Sequence, residues 1–162
     1  MDDFETKKKE LLQPLMFEAG AALMDCQAFE FAIALLLFHL SRLGAISLDF
    51  QKVGQILDNT DKKTAGQLID MFKKHFKVSD DSEKALESAL EARNRIIHRV
   101  LIDNVEQFIQ PEKRAALIKE ISNLRRTVRK VDEMLRPALL SLGELVGVDH
   151  KAMEAEVRQL FQ

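Results

Sequence analysis

The strongest constraint on the fold is a run of apolar residues in the C-terminal half, whose spacing alternates strictly between four and three positions. Its members are Leu117, Ile121, Leu124, Val128, Val131, Leu135, Ala138, Leu142 and Leu145. Because an α-helix turns once in about 3.6 residues, this spacing forms one apolar stripe along one side of a helix. The stripe predicts a long helix over about residues 111–146, beginning at Pro111, that packs in a bundle or against a coiled-coil partner. Pro137 predicts a kink or a break near Arg136.

The rest of the chain is also expected to be helical. It has three Pro, six Gly and neither Trp nor Tyr, so little of its composition favours strands. Polar and glycine-containing turns separate segments with helical apolar spacing. We therefore expect one all-α domain over residues 1–162, a bundle of about five to seven helices. Besides the long helix, the predicted helices cover about residues 5–13, 15–43, 47–57, 64–76, 80–101 and 150–161.

Several residues predict where these helices begin and end. Pro14 should end the first helix or open the second, and Gly44 should close the second. Thr64, Asp80 and Asp149 are expected at helix N-termini, where their side chains can accept hydrogen bonds from free backbone N–H groups.

Charge and cysteine content limit the classes of function. A formal net charge of −2 excludes a globally cationic nucleic-acid-binding domain, so any RNA contact needs a local basic patch. The basic residues of the long helix, such as Arg125, offer either such a patch or a solvated face balanced by nearby carboxylates. The single Cys26 cannot form a disulfide within the chain, and its apolar setting indicates a packed side chain in a cytoplasmic protein.

Residues 31–40 form the most apolar run of the sequence. At ten residues it is shorter than the roughly 20 needed to cross a bilayer, so it predicts a buried helix or a subunit interface and no membrane partner. No His or Cys spacing resembles a metal cage, and no glycine-rich phosphate loop is present. We therefore expect neither a metal nor another cofactor.

One short segment concentrates the residues capable of chemistry. This segment, residues 93–99, lies on a helix that otherwise presents aliphatic side chains. It contains Arg93, Asn94, Arg95, His98 and Arg99. Asn94 and His98 are four apart and share a helix face, whereas Arg93 and His98 are five apart and point about 140° away from each other. The latter two can meet only where the helix ends or bends, or where a second copy of the chain supplies the partner. The structural alternative is a set of solvated arginines beside a packed histidine.

Glu30 is a carboxylate among apolar neighbours. A buried charge is costly unless it is paired, so Arg93 or Arg95 is a candidate partner. Alternatively, Glu30 lies on the polar face of its helix with Asp25 or Gln27.

The pattern Arg93-Asn94-x-x-x-His98 resembles the R-x(4–6)-H signature of the HEPN superfamily, whose commonest form has Asn directly after the Arg. Residues 27–30 and 64–69 resemble other stretches of bacterial members, and the resemblance covers roughly residues 17–145. It implies an all-α bundle that forms a homodimer. It also implies metal-independent cleavage of RNA in a toxin or defence role, with Arg and His from two protomers gathered at the dimer interface.

The residue chemistry is compatible with that activity. An imidazole titrates near neutral pH, so His98 can accept the proton of a ribose 2′-hydroxyl while Arg93 stabilises charge on the attacked phosphate. Asn94 can hold the imidazole or a phosphate oxygen, and Arg95 and Arg99 can hold the RNA backbone. Catalytic residues would thus be Arg93, Asn94 and His98, with Glu30 in support.

A second class of function is open. Other proteins similar to the HEPN superfamily act as dimeric scaffolds, regulators or partners of nucleotidyltransferases, and a toxin would have an antitoxin partner. The complete Arg-Asn-x-x-x-His pattern favours the enzyme, whereas the acidic net charge and the lack of an aromatic residue after His98 favour the scaffold. A DNA-binding regulator ranks last, because the one turn that would suit a helix-turn-helix offers only Lys62 and Lys63.

Overall fold

A computed structural model describes residues 3–57 and 65–159 of the chain. Every regular element in those residues is an α-helix, which confirms the all-α prediction. The predicted turn at residues 58–61 and the predicted cap at Thr64 lie outside the described residues. The helices are α1 (Asp3–Arg42), α2 (Phe50–Leu57), α3 (Ala65–His75), α4 (Asp80–His98), α5 (Val100–Asp103), α6 (Val105–Ile109), α7 (Pro111–Leu145) and α8 (His150–Gln159).

Eight helices are described, more than the five to seven expected. The difference arises between α4 and α7, where the sequence predicted a helix to residue 101 followed by a break. Instead α4 ends at His98, and two short helices, α5 and α6, follow it on either side of Asn104. The Asn104 side chain is buried and its Nδ2 donates to the Val100 carbonyl at 2.8 Å, which stabilises this junction.

The helices form two compact units. Unit 1 comprises Met1–Phe29 and Ser79–Val131, and unit 2 comprises Glu30–Val78 and Asp132–Gln162. The long helices α1 and α7 each contribute residues to both units. The single domain expected from chain length stays a prediction.

α1 is continuous through Pro14, so the predicted helix boundary at this residue is wrong. Proline removes one backbone hydrogen bond from a helix, but Pro14 is exposed and water can satisfy the carbonyl that loses its partner. The predicted end at Gly44 is confirmed. Gly44 has a φ of 68°, and its N–H donates to Ser41 O at 3.0 Å while Ala45 N–H donates to Leu40 O at 2.9 Å, a pattern that only glycine adopts without strain.

The core of unit 1 joins three helices. Leu15 and Ala22 of α1, Val100 of α5, and Leu117 and Ile121 of α7 are at most 2% exposed. The apolar stripe of α7 therefore faces the interior here, as its spacing predicted. Around this cluster pack Ala19, Ile96, Phe108, Ile118 and Leu124.

Farther along α7 the stripe is only partly buried. Leu135 is buried, but Ala138 and Leu145 are exposed, so the seam predicted to extend to residue 145 does not. α7 begins at Pro111 as predicted, and it continues through Pro137, so of the kink or break expected there the break is wrong and the kink stays a prediction.

Two helix starts show how short side chains satisfy free backbone N–H groups. α8 begins after Asp149, whose Oδ1 accepts from the N–H groups two and three positions later at 3.1 and 3.0 Å, as predicted. At α4 the cap lies one residue earlier than predicted, because Ser79 Oγ accepts from Ser82 N–H and Asp80 is the first helical residue.

Unit 2 buries most of the apolar run of residues 31–40, which confirms the prediction of a buried helix, although Phe31 is exposed. Within the same unit α3 buries Leu68, Ile69 and Phe72, again as predicted. His150 of α8 lies against Gly143 of α7, where it bonds to the Leu140 carbonyl at 3.1 Å. These buried residues and contacts all lie in the parts of α1, α3, α7 and α8 that belong to unit 2.

α1 is also the one helix of the described ranges with the length and composition of a membrane span. Its most apolar window has a mean hydropathy of 1.7, and 44% of that window is buried inside the structure. The apolar stretch is thus longer than the ten-residue run suggested. A core helix of a water-soluble protein meets the same criterion, so the cytoplasmic location expected from the sequence stays a prediction.

Candidate functional site

The candidate site lies where α4 ends, in unit 1. Leu86, Ala89 and Ala92 are buried and fix one side of α4 against its neighbours. At the end of the helix Arg99 leaves helical geometry, with φ −129° and ψ −38°, and Val100 immediately enters the core. The polar residues of the motif therefore lie on the last turns of α4, and buried residues before and after the motif hold this part of the chain in place.

Three motif residues are in contact within one chain. Arg93 Nη1 donates to Asn94 Oδ1 at 3.1 Å and lies 3.3 Å from His98 Nε2. Asn94 and His98 share a helix face, as the spacing predicted. The long Arg93 side chain reaches sideways across Asn94 onto that face, so the contact needs no second copy of the chain. The helix also ends at His98, which was one of the conditions set by the sequence.

This contact determines which form of His98 can take part in it. A guanidinium has only donors, so Arg93 Nη1 can hydrogen-bond to Nε2 only when that nitrogen carries a lone pair. The bonded form is therefore the neutral imidazole with its proton on Nδ1. Because Asn94 and His98 are exposed, an incoming ligand can reach both.

The two arginines assigned to RNA binding each have a carboxylate partner. Arg95 Nε donates to Glu120 Oε1 of α7 at 2.7 Å, and its Nη2 bonds to the same oxygen. Arg99 pairs with Asp103, four residues later, at 3.3 Å. Both arginines are largely exposed, and exposed pairs of this kind contribute little stability, so a phosphate can compete for them.

The sequence suggested Arg93 or Arg95 as the partner of Glu30. Arg95 bonds to Glu120. The pairing of Arg93 with Glu30 stays a prediction. The pairing of Arg95 with Glu120 was not predicted from the sequence, because the 25 positions between the two residues leave no local signal. The pair of Arg99 and Asp103 did have a local signal in the sequence, because residues four positions apart lie on the same face of a helix.

The basic side of α7 resembles a balanced face more than a phosphate patch. Arg125 bonds to Asp25 and Glu18 of α1 at 2.5 and 3.3 Å. Arg136 pairs with Asp132, one turn before it, at 3.2 Å. The pairs of Arg125 are largely buried, so its charge is not available to a phosphate, whereas the Arg136 pair is as exposed as that of Arg99.

An apolar groove opens beside the motif. Its volume is about 360 Å³, and it is lined by residues of α1, α4, α5 and α7 of unit 1: Met16, Ala19, Gly20, Leu23, Ile96, Ile97, Val100, Leu101 and Ile121. Ile97 directly precedes His98, so the groove and the motif adjoin. Leu101 was expected to face a core, but it is 45% exposed at this groove. The sequence prediction failed because α4 ends three residues before Leu101 and the backbone at Arg99 is not helical.

Over residues 3–57 and 65–159, no group of three or more His, Cys, Asp or Glu side chains is placed to hold a metal ion. Comparison of the chain with protein-family models, with curated proteins and with solved structures finds no match in any of the three. The likeness to the HEPN superfamily therefore rests on the Arg93-Asn94-x-x-x-His98 motif, its flanking stretches and the all-helical fold.

Proposed function

We propose that the chain is a metal-independent endoribonuclease that acts at Arg93, Asn94 and His98. The observation that supports this function is the contact of Arg93 Nη1 with His98 Nε2 beside the Asn94 amide. A cation and an imidazole whose neutral form can act as a base are held together at an exposed helix end. Cleavage of a phosphodiester by its neighbouring hydroxyl needs both groups.

In the proposed reaction an RNA phosphate takes the Nη1 donor of Arg93, which releases Nε2 of His98. Nε2 then accepts the proton of the 2′-hydroxyl, and the 2′-oxygen forms a bond to phosphorus. The bond from phosphorus to the 5′-oxygen breaks and this oxygen takes a proton from water. The hydroxide that is left takes the proton from Nε2, which restores the neutral imidazole of His98. The products are a 2′,3′-cyclic phosphate and a 5′-hydroxyl. Asn94 keeps the guanidinium and the imidazole on the same helix face.

RNA binding would be local and sensitive to salt. Arg95 and Arg99 are the nearest further cations, and each must exchange a carboxylate for a phosphate. With a net charge of −2 the rest of the protein adds no general attraction for RNA. We include in the proposal the homodimer and the toxin or defence role that the resemblance implies.

A non-catalytic dimeric scaffold is the alternative, and the apolar groove favours it. The groove adjoins the motif, so a protein segment seated there would cover His98. In that case Arg93, Asn94 and His98 would contribute to an interface rather than to chemistry.

The test is RNA cleavage in excess EDTA, comparing wild type with His98→Ala and Arg93→Ala. Loss of a general base costs about 10²–10⁴-fold in rate, and loss of one donor to the developing anion costs about 10²–10³-fold. The controls are His75→Ala in α3 and Arg126→Ala in α7, which remove the same side-chain types outside the site and should cleave as wild type does. Cleaved ends should carry 2′,3′-cyclic phosphate, and a 2′-deoxy substitution at the cut position should block the reaction.

Two results would overturn the proposal. One is a wild-type protein that is inert on both structured and single-stranded RNA. The other is cleavage that persists in His98→Ala at the wild-type rate. If wild type is inert and the same variants also lose a dimer seen by light scattering, the scaffold is the better description.

A further inference from the structure

The exposed side of α1 within unit 1 carries no charged residue between positions 13 and 27. Its large apolar members are well exposed, with Met16 at 58%, Phe17 at 72%, Leu23 at 44% and Met24 at 70%. Water-soluble proteins rarely leave so continuous an apolar strip uncovered. The exposed residues are Gln13, Pro14, Met16, Phe17, Gly20, Leu23, Met24 and Gln27.

Gly20 lies at the centre of this strip, and no contact within its own chain requires a glycine there. Glycine inside a helix costs about 1 kcal/mol relative to alanine. A Cβ built on Gly20 would meet no atom within 4 Å, so packing within the chain does not require its absence. A glycine on an exposed helix face does allow another helix to approach closely, which gives this residue a function.

The strip is symmetric about Gly20. Phe17 and Leu23 lie three positions to either side, and Met16 and Met24 lie four positions to either side. Gln13 and Gln27 stand at seven positions, again one on each side. When two identical helices cross antiparallel about a two-fold axis, each residue faces its counterpart on the other side of the centre. Apolar residues would then face apolar residues, and the two glutamines, which can both donate and accept, would face each other.

We propose that a second copy of this chain docks on this strip, with its α1 antiparallel and the two-fold axis passing through Gly20. The inference deepens the homodimer part of the proposed function by naming the surface. It does not depend on ribonuclease activity.

The groove beside the motif extends this surface. Met16, Gly20 and Leu23 belong both to the strip and to the groove, whose other wall includes Ile97 and Leu101. A specific interface buries about 800 Å² on each partner, more than one helix face supplies, so the second copy would also occupy the groove. It would then lie next to His98, and each site would border the other chain.

A lipid surface is the competing occupant, and the charges beside the strip do not favour it. Helices that lie on membranes usually carry Lys or Arg along the polar border of the apolar face. Here the residues next to the strip are Glu18 and Asp25, which are largely buried, acidic and bonded to Arg125. Such a border suits a protein partner better than an anionic membrane.

The first test measures the molar mass of the full chain by light scattering and sedimentation, without RNA. Wild type should be a dimer, and Gly20→Glu should weaken association by about 100-fold or more, since it places two buried charges on the axis. Ala116→Glu, on the exposed side of α7, is the matched control and should remain dimeric. Circular dichroism should show unchanged helix content in both variants, because Gly20 and Ala116 are both exposed and a Cβ at Gly20 meets no atom of another element within 4 Å.

A second test fixes the direction of the helices. In the antiparallel contact, Gln13→Lys combined with Gln27→Glu creates two opposite-charge pairs and should keep the dimer. Gln13→Lys combined with Gln27→Lys creates two like-charge pairs and should weaken it. A parallel contact would put each of these positions against itself, so the first combination would also weaken association.

A third measurement uses Gly20→Cys, which should form a disulfide-linked dimer on oxidation, because Cys26 is buried and does not compete. The proposal is overturned if wild type is monomeric over the accessible concentration range, or if Gly20→Glu associates as wild type does. It is also overturned if a monomeric wild type co-sediments with vesicles of phosphatidylcholine and phosphatidylglycerol and Gly20→Glu does not. Because no RNA is present, none of these outcomes decides the ribonuclease proposal.

Discussion

Arg125 joins α7 to α1 in unit 1, and its replacement is a sharp test of the electrostatics. Its guanidinium bonds to Asp25 at 2.5 Å and to Glu18 at 3.3 Å, and the three side chains are only 14 to 25% exposed. The hydrogen bond to Asp25 raises the pKa of Arg125. Burial lowers this pKa, but the hydrogen bond to Glu18 raises it further, so the net change is a rise. The arginine is therefore charged, and both carboxylates depend on it for compensation.

Arg125→Met keeps most of the apolar stem and removes both bonds. An exposed ion pair contributes up to about 1 kcal/mol, whereas breaking a fully buried pair costs about 3–5 kcal/mol. The three groups are about three-quarters buried, which places this site between the two limits. We expect a loss of about 2–3 kcal/mol in the free energy of unfolding, close to the value of one charge-assisted hydrogen bond.

The assay is urea unfolding at neutral pH, followed by circular dichroism. Arg126→Met is the matched control, since Arg126 is exposed on the same helix, and it should stay within about 0.5 kcal/mol of wild type. A double-mutant cycle with Asp25→Asn should give a coupling energy of about 1–2 kcal/mol. If Arg125→Met unfolds at the same urea concentration as Arg126→Met, the argument from partial burial is wrong.

Three further changes test other parts of the structure. His39 is buried with no described partner at Nδ1, and burial, together with Arg42 and His150, lowers its pKa from 6.5. As pH falls, His39 therefore takes up a proton at a higher pH in the unfolded chain than in the folded one, so the free energy of unfolding should fall below pH 6.5. Urea titrations above and below that pH should show a smaller fall in His39→Leu than in wild type. Gly143→Ala would place a Cβ 2.5 Å from Nε2 of His150, so the ring must turn away and lose its bond to the Leu140 carbonyl. The lost bond and the better helix propensity of alanine are each worth about 1 kcal/mol, so thermal melts should show a change of less than about 1 kcal/mol. Asn104→Ala removes a buried hydrogen bond and should cost about 1–2 kcal/mol in urea unfolding, and a neutral effect would show that the junction of α5 and α6 does not depend on it.

Features with a local cause were predicted well from the sequence. The ending at Gly44, the start at Pro111 and the cap at Asp149 each follow from the backbone preferences of one residue. The boundary at Pro14 and the break at Pro137 were wrong, because a helix can continue through a proline where water or a neighbour satisfies the freed carbonyl, while a kink at Pro137 stays a prediction. The outcome at such residues depends on their surroundings, which the sequence does not display.

At the candidate site, spacing alone predicted that Asn94 and His98 share a face. The third member, Arg93, joins them through the path of a long flexible side chain, which helix periodicity does not describe. Helix periodicity also failed at Leu101. This residue fits the apolar spacing of α4, but it lies beyond the end of that helix.

The amino-acid sequence by itself determined that the described chain is helical, where the long helix α7 runs and which residues form the motif. Those properties depend on contacts three or four positions apart, and the spacing of apolar residues records them directly. Tertiary structure decided that Arg95 meets Glu120, that Arg125 meets Asp25, and that one side of α1 stays uncovered. These outcomes depend on residues up to 100 positions apart, and only packing brings them together.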